Sequence, residues 1–118
     1  MRLTHVILYV ADIPTSVGFY GALLDREPVE LHPSFAAFDL GGGFTLGLWQ
    51  ESTVSPAPEA PGARSELGLA LGDAAMVAIA WDKWRERGVP IAQPLTELDF
   101  GPTFVALDPD RHRLRVFA

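Results

Sequence analysis

His5-Val6-Ile7-Leu8-Tyr9-Val10-Ala11-Asp12 and Glu66-Leu67-Gly68-Leu69-Ala70-Leu71-Gly72-Asp73 are the two stretches that decide the fold. Each is a short apolar run that ends in Asp and leads into a helical pattern. The separation of 61 residues between His5 and Glu66 is kept between Asp12 and Asp73, and it carries Phe19 and Tyr20 onto Ala80 and Trp81. Two related halves can build a cleft. The polar residue that opens the run is His in one half and Glu in the other.

The chain has 118 residues, 48% of them apolar, which is one compact domain's worth with ample material for a core. Halves of about 50 residues are marginal alone, so they read as two modules of one domain. Module one spans 1–50, a linker 51–65, and module two 66–118. Two copies are too few for a solenoid. No apolar run is long enough to cross a membrane, and the N-terminus lacks the pattern of a signal peptide, so the expected location is the cytoplasm. Absence of cysteine removes disulfides, thiolate nucleophiles and cysteine-based metal sites. A net charge of −6 argues against a nucleic-acid partner, which needs a positive face.

In the first half a strand is expected over Leu3 to Val10, then a helix starting at Asp12-Ile13-Pro14, where proline suits the first turn. Val17, Tyr20, Leu23 and Leu24 recur at helical spacing and should face a sheet. Strands follow at Pro28 to Leu31, Phe35 to Leu40 and Phe44 to Trp49, and Gly41-Gly42-Gly43 signals a hairpin. Pro56, Pro58 and Pro61 mark the linker as irregular. In the second half a strand from Glu66 to Leu71 leads to a helix capped by Asp73 and stopped near Arg87 by Gly88. Strands then fall at Ile91 to Thr96, Thr103 to Leu107 and Leu114 to Phe117, with Asp108-Pro109-Asp110 as the last turn. Each half is β-α-β-β-β.

This order, with the run from His5 to Asp12, the Phe19-Tyr20 pair, Gly101-Pro102-Thr103-Phe104 and Asp108-Pro109-Asp110-Arg111-His112, resembles the vicinal oxygen chelate superfamily, the group of glyoxalases and bleomycin resistance proteins. Within it the chain looks most like the phenazine antibiotic resistance proteins, through Glu27-Pro28-Val29, Leu48-Trp49, Ser65-Glu66-Leu67-Gly68, Asp99-Phe100-Gly101-Pro102-Thr103-Phe104 and Arg115-Val116. The resemblance implies an α+β fold of two βαβββ modules whose curved mixed sheet surrounds a cleft, and a homodimer.

Metal-dependent relatives hold one divalent ion from four strands. Carried over position by position, the ligands fall on His5, near Gly47, on Glu66 and on Arg115. Glycine offers no donor and a guanidinium repels a cation, so two plausible ligands remain where a catalytic site needs three or four. Gln50 or Glu51 would restore a ligand if the alignment slipped. The expectation is no metal and no cofactor. His32 reads as a turn residue and His112 as part of the last hairpin. No serine sits on a nucleophile elbow, so a hydrolase is not indicated.

If the superfamily's ligand positions define the inner face, strand parity puts His5, Ile7 and Tyr9 on it, with Thr45, Gly47 and Trp49, Glu66, Gly68 and Ala70, and Arg115 with Phe117. Gly47 and Gly68 would leave room for a flat molecule beside the Trp49 ring; equally, the glycines could mark bulges and Trp49 could cover the end of the core. Arg115 could anchor a ligand carboxylate or pair internally with Glu66, while His5, Tyr9 or Glu66 could hydrogen-bond a ring nitrogen. Phe100 and Phe104 could wall the pocket or belong to the core, and Trp81 and Trp84 pack a helix or form an interface. The candidate ligand-binding set is Trp49, Arg115, Glu66, His5, Tyr9, Gly47, Gly68 and Phe104, without catalytic residues. The function indicated is sequestration of a planar aromatic antibiotic such as a phenazine. The alternative is a metal-dependent glyoxalase-like lyase or dioxygenase.

Overall fold

The computed structural model describes residues 2, 4–55, 57–58 and 66–118. The chain divides into two compact units, Met1–Pro61 and Gly62–Ala118. Each carries one helix on one four-stranded mixed sheet.

The first unit contains β1 (His5–Val10), α1 (Ile13–Leu24), β2 (Glu30–Leu31), β3 (Phe35–Asp39) and β4 (Thr45–Gln50), in the sheet order β1-β4-β3-β2. The β1–β4 pair is parallel and the others antiparallel. Asp12 caps α1 through its carboxylate, which accepts from the Thr15 amide and hydroxyl. Those two hydrogen bonds hold its carboxyl below its ordinary value of 3.8. The buried stripe of α1 is Ile13, Ser16 and Tyr20, at i, i+3 and i+7. Val17, Leu23 and Leu24, expected on the same stripe, are only half-buried because they flank it. Gly41, Gly42 and Gly43 all have positive φ (86°, 63° and 79°), which only glycine adopts without cost, and they close the β3–β4 hairpin.

The second unit contains β5 (Glu66–Ala70), α2 (Ala74–Glu86), β6 (Ile91–Leu98), β7 (Gly101–Leu107) and β8 (Arg113–Phe117), ordered β5-β8-β7-β6. Asp73 caps α2 at the Met76 amide, the same offset as Asp12 to Thr15. Trp84 is buried, and it and Trp81 pack on Phe104 at centroid distances of 5.3 and 5.4 Å, so both tryptophans fasten the helix to its sheet. The last turn is held by the Asp108 carboxylate, which accepts from the amides of Asp110 and His112 and meets His112 Nδ1 at 2.7 Å.

Boundaries depart from expectation in places. β2 is only two residues long, since Pro28 has no N–H to give a ladder. β6 runs on to Leu98 through Pro94, which an edge strand with register shifts tolerates. The linker starts with structure, a 3-10 turn over Glu51–Thr53 followed by buried Val54. Pro56, Pro61 and the rest of 59–65 lie outside the described residues. No helix among the described residues is long and apolar enough to cross a membrane.

In both units one sheet face lies under the helix and forms the core. It carries Leu8, Val10, Phe38, Leu46 and Leu48 in the first unit and Phe104, Leu114 and Val116 in the second, each at most 6% exposed. The residues between them along each strand point to the opposite, open face. There the candidate chemistry sits.

Candidate functional site

On the open face of the first unit the strand registers line side chains up in rows across β1, β4 and β3. One row is Tyr9–Trp49–Phe35, the next Ile7–Gly47–Ala37, the last His5–Thr45–Asp39. The first is an aromatic row. Trp49 meets Tyr9 edge-on, with centroids 6.3 Å apart and planes at 84°. Tyr9 keeps 42% of its surface exposed and neighbouring Ile7 43%. A large apolar face at this exposure, inside a sheet rather than at a loop, is the kind of patch a ligand or partner covers.

The room expected at Gly47 is already taken. A Cβ there would stand 3.1 Å from Phe35 Cζ and 3.2 Å from Ile7 Cγ1. Gly47 is buried because Phe35, one row away on β3, lays its ring over it. The missing side chain therefore accommodates an internal ring, and Phe35 joins the aromatic surface. A register for the β3–β4 hairpin, counted back from the three glycines, would have put Phe35 beside Trp49. Without that register Phe35 has no assigned face.

On the second unit the matching rows are Ala70–Phe117–Thr103, Gly68–Arg115–Val105 and Glu66–Arg113–Leu107. Arg115 is the hub. Its Nε donates to Glu66 Oε1 at 2.9 Å, and its Nη1 donates to Gln93 Oε1 at 3.2 Å and Thr103 Oγ1 at 3.3 Å. Thr103 is fully buried and donates its own proton to the Val116 carbonyl at 2.8 Å. The internal ion pair between Glu66 and Arg115 is thus formed. With side chains 40% and 22% exposed, it is a solvent-screened pair. Beside it lies a pocket of about 360 Å³ lined by Phe100, Arg115, Phe117 and Ala118. Phe100, 54% exposed, meets Phe117 edge-on at 6.1 Å. Gly68 does leave room, since a Cβ there would meet only Phe117 Cε1, at an ordinary 3.4 Å.

Phe104 does not belong to this wall. It is fully buried on the helix side between Trp81 and Trp84, because strand alternation puts it with its partner Val116 on the face away from Arg115. Gln93, Thr103, Phe100 and Phe117 are contributors that the ligand-binding set omitted. Gln93 lies on an edge strand with a shifted register, which hides its parity in the sequence.

The donor set does not fit the divalent ion that the fold's metal-dependent forms hold. Gly47 has no donor, the Glu66 carboxylate is engaged by a permanent cation, and His5, whose Nδ1 lies 2.8 Å from Thr4 Oγ1, is left as a lone donor through Nε2. Gln50 cannot substitute, because it pairs with Val10 on the helix-side parity, and Glu51 is exposed in the following turn. Among the described residues no three His, Asp or Glu side chains converge. His32 is exposed in the turn before β3, where its amide bonds the Phe35 carbonyl.

The family model described as Glyoxalase/Bleomycin resistance protein/Dioxygenase superfamily matches residues 2–116. The phenazine antibiotic resistance protein EhpR of Enterobacter agglomerans is 31% identical over 116 residues, covering 93% of this chain and 86% of its own. A protein of Agrobacterium tumefaciens solved by NMR in solution is 42% identical and superposes with a TM-score of 0.90, over 100% of this chain and 97% of that one. A glyoxalase-related enzyme from Fulvimarina pelagi, 20% identical, superposes with a TM-score of 0.85 over 98% of this chain and 86% of its own, a likeness of fold alone.

Proposed function

The chain belongs to the glyoxalase/bleomycin resistance protein/dioxygenase superfamily, and on that premise we propose that it binds a planar aromatic antibiotic, such as a phenazine, and protects by sequestering it without a metal. The observation that carries this reading is the aromatic row Tyr9–Trp49–Phe35 on an open sheet face. The relative named for phenazine antibiotic resistance, similar over most of both chains, supports the chemical class. The reading includes a homodimer, action in the cytoplasm, and a single domain built by the two modules.

A fused aromatic ligand that buries about 150–250 Å² gains ~4–6 kcal/mol at ~25 cal/mol per Å². Ring contacts with Trp49 add about 0.5–1.5 kcal/mol each. Association opposes this, so a micromolar complex, about −8 kcal/mol, needs a polar anchor as well. Sequestration asks no chemistry of the side chains, in keeping with a donor set unsuited to a metal.

Titration with a phenazine, followed by quenching of tryptophan fluorescence, tests the proposal. Trp49→Ala should weaken binding at least ~10-fold, the scale of an aromatic anchor. Unchanged affinity in that variant would sink it. Elemental analysis of the purified protein should find no stoichiometric divalent metal; metal-dependent lyase or dioxygenase activity would put the enzyme reading in its place. Sedimentation at tens of micromolar should show the dimer, and a monomer there removes that part of the proposal.

A further inference from the structure

Arg115 is held by three different side chains, and each takes a defined part of its guanidinium. Glu66 engages Nε, while Gln93 and Thr103 share Nη1. Nη2 makes no hydrogen bond among the described residues, in a side chain that lines the pocket with Phe100, Phe117 and Ala118. A guanidinium fixed on one edge and open on another is a preorganised donor, with little side-chain freedom left to lose when an anion arrives.

Charge favours an anion as well. Arg113 and Arg115 stand two residues apart on the same face of β8, and Glu66 is the register partner of Arg113. The charged side chains of β5 and β8 are thus two guanidiniums against one carboxylate, in a chain whose net charge is −6. The Phe100 and Phe117 rings give the pocket an apolar wall beside the guanidinium.

Resting on the sequestration reading, we infer that this pocket selects planar aromatic ligands bearing a ring carboxylate over their neutral counterparts. The ligand carboxylate takes Arg115 Nη2 beside the Phe100 and Phe117 rings, and Gln93 and Thr103 act as positioning residues for the guanidinium. Binding is reversible and involves no covalent step.

Calorimetric titration of the full chain near neutral pH with phenazine-1-carboxylate and with unsubstituted phenazine tests this. The wild type should bind the carboxylate at least ~10-fold more tightly, a difference of about 1.4 kcal/mol. Arg115→Gln should erase that preference, so that the two ligands bind within about threefold of one another. Gln93→Leu should cut the preference at least threefold, a change in the ratio of the two affinities that a merely structural role would not produce. Equal binding of the two ligands by the wild type, or a preference intact in Arg115→Gln or Gln93→Leu, overturns this inference and leaves sequestration standing. Binding of neither ligand removes sequestration itself, and this inference with it.

Discussion

The open faces of the two units carry the same ladder with opposite contents. In the first unit the middle row is Ile7–Gly47–Ala37, a small centre roofed by Phe35; in the second it is Gly68–Arg115–Val105, a large cation flanked by glycine. The outer rows differ likewise: Tyr9–Trp49–Phe35 is wholly aromatic, whereas Ala70–Phe117–Thr103 keeps one ring and adds a hydroxyl that accepts from Arg115. The helix-side faces, by contrast, are alike in both units, apolar and closely covered. The repeated architecture is therefore maintained by its buried faces, and chemistry has diverged on the faces that the core does not constrain.

Substitutions can break this comparison. The largest effect belongs to a buried face: Phe104→Ala removes a ring packed between Trp81 and Trp84 and should cost about 3–5 kcal/mol of stability in denaturant unfolding. The protein that remains folded should bind phenazine within about twofold of the wild type, because Phe104 is absent from the open face. Selective loss of binding with stability intact would return Phe104 to the pocket.

Next come the two glycines of the middle rows, Gly47 on β4 and Gly68 on β5. Gly47→Ala forces a Cβ against Phe35 and Ile7 and should destabilise by about 1 kcal/mol or more. Gly68→Ala meets only an ordinary contact with Phe117 and, by removing a strand glycine, should stabilise by about 0.5 kcal/mol. Thermal unfolding of the pair should thus give shifts of opposite sign; shifts of the same sign would remove the contrast between a filled gap and an open one.

The smallest effects sharpen the comparison at the helix caps. Asp73→Ala deletes the bond to the Met76 amide and should cost about 1 kcal/mol. Asp12 accepts two bonds from Thr15, and its carboxyl is lowered below 3.8 by the hydroxyl first and the amide second. Because the folded value is the lower one, this stabilisation is fully present above the unfolded pKa and is lost as the pH falls through the folded one. Thr15→Val should bring the Asp12 pKa back up towards its ordinary value in an NMR titration of carboxyl carbons. An unmoved Asp12 would assign the shift to something other than that hydroxyl.

Much of this was legible in the sequence. The constant spacing of the runs, the caps at Asp12 and Asp73, the triple glycine and the Asp108 turn all encode local geometry, which depends on residues close together in the chain. Strand parity, anchored on the ligand positions that the resemblance implies, put Tyr9 with Trp49 and Glu66 with Arg115 on one face. What parity leaves open is register, the choice of which residue in one strand stands beside which in the next.

Register and packing decided the rest. They set Phe35 over Gly47 and turned an expected gap into an aromatic surface, and they brought Gln93 and Thr103 from β6 and β7 onto Arg115. Phe104 and Phe100, four residues apart in the chain, separate into core and pocket because β7 starts only at Gly101, which leaves Phe100 in the preceding turn. The sequence by itself determined two βαβββ modules and their buried faces, since periodicity carries those, and the ligand positions that the resemblance implies showed the poverty of metal donors. Only the tertiary structure decided which side chains touch Arg115 and which ring covers Gly47. Arg115 is reached from strands that pair at a distance along the chain, and the lean of the Phe35 ring over Gly47 is set by packing that the hairpin register alone does not specify.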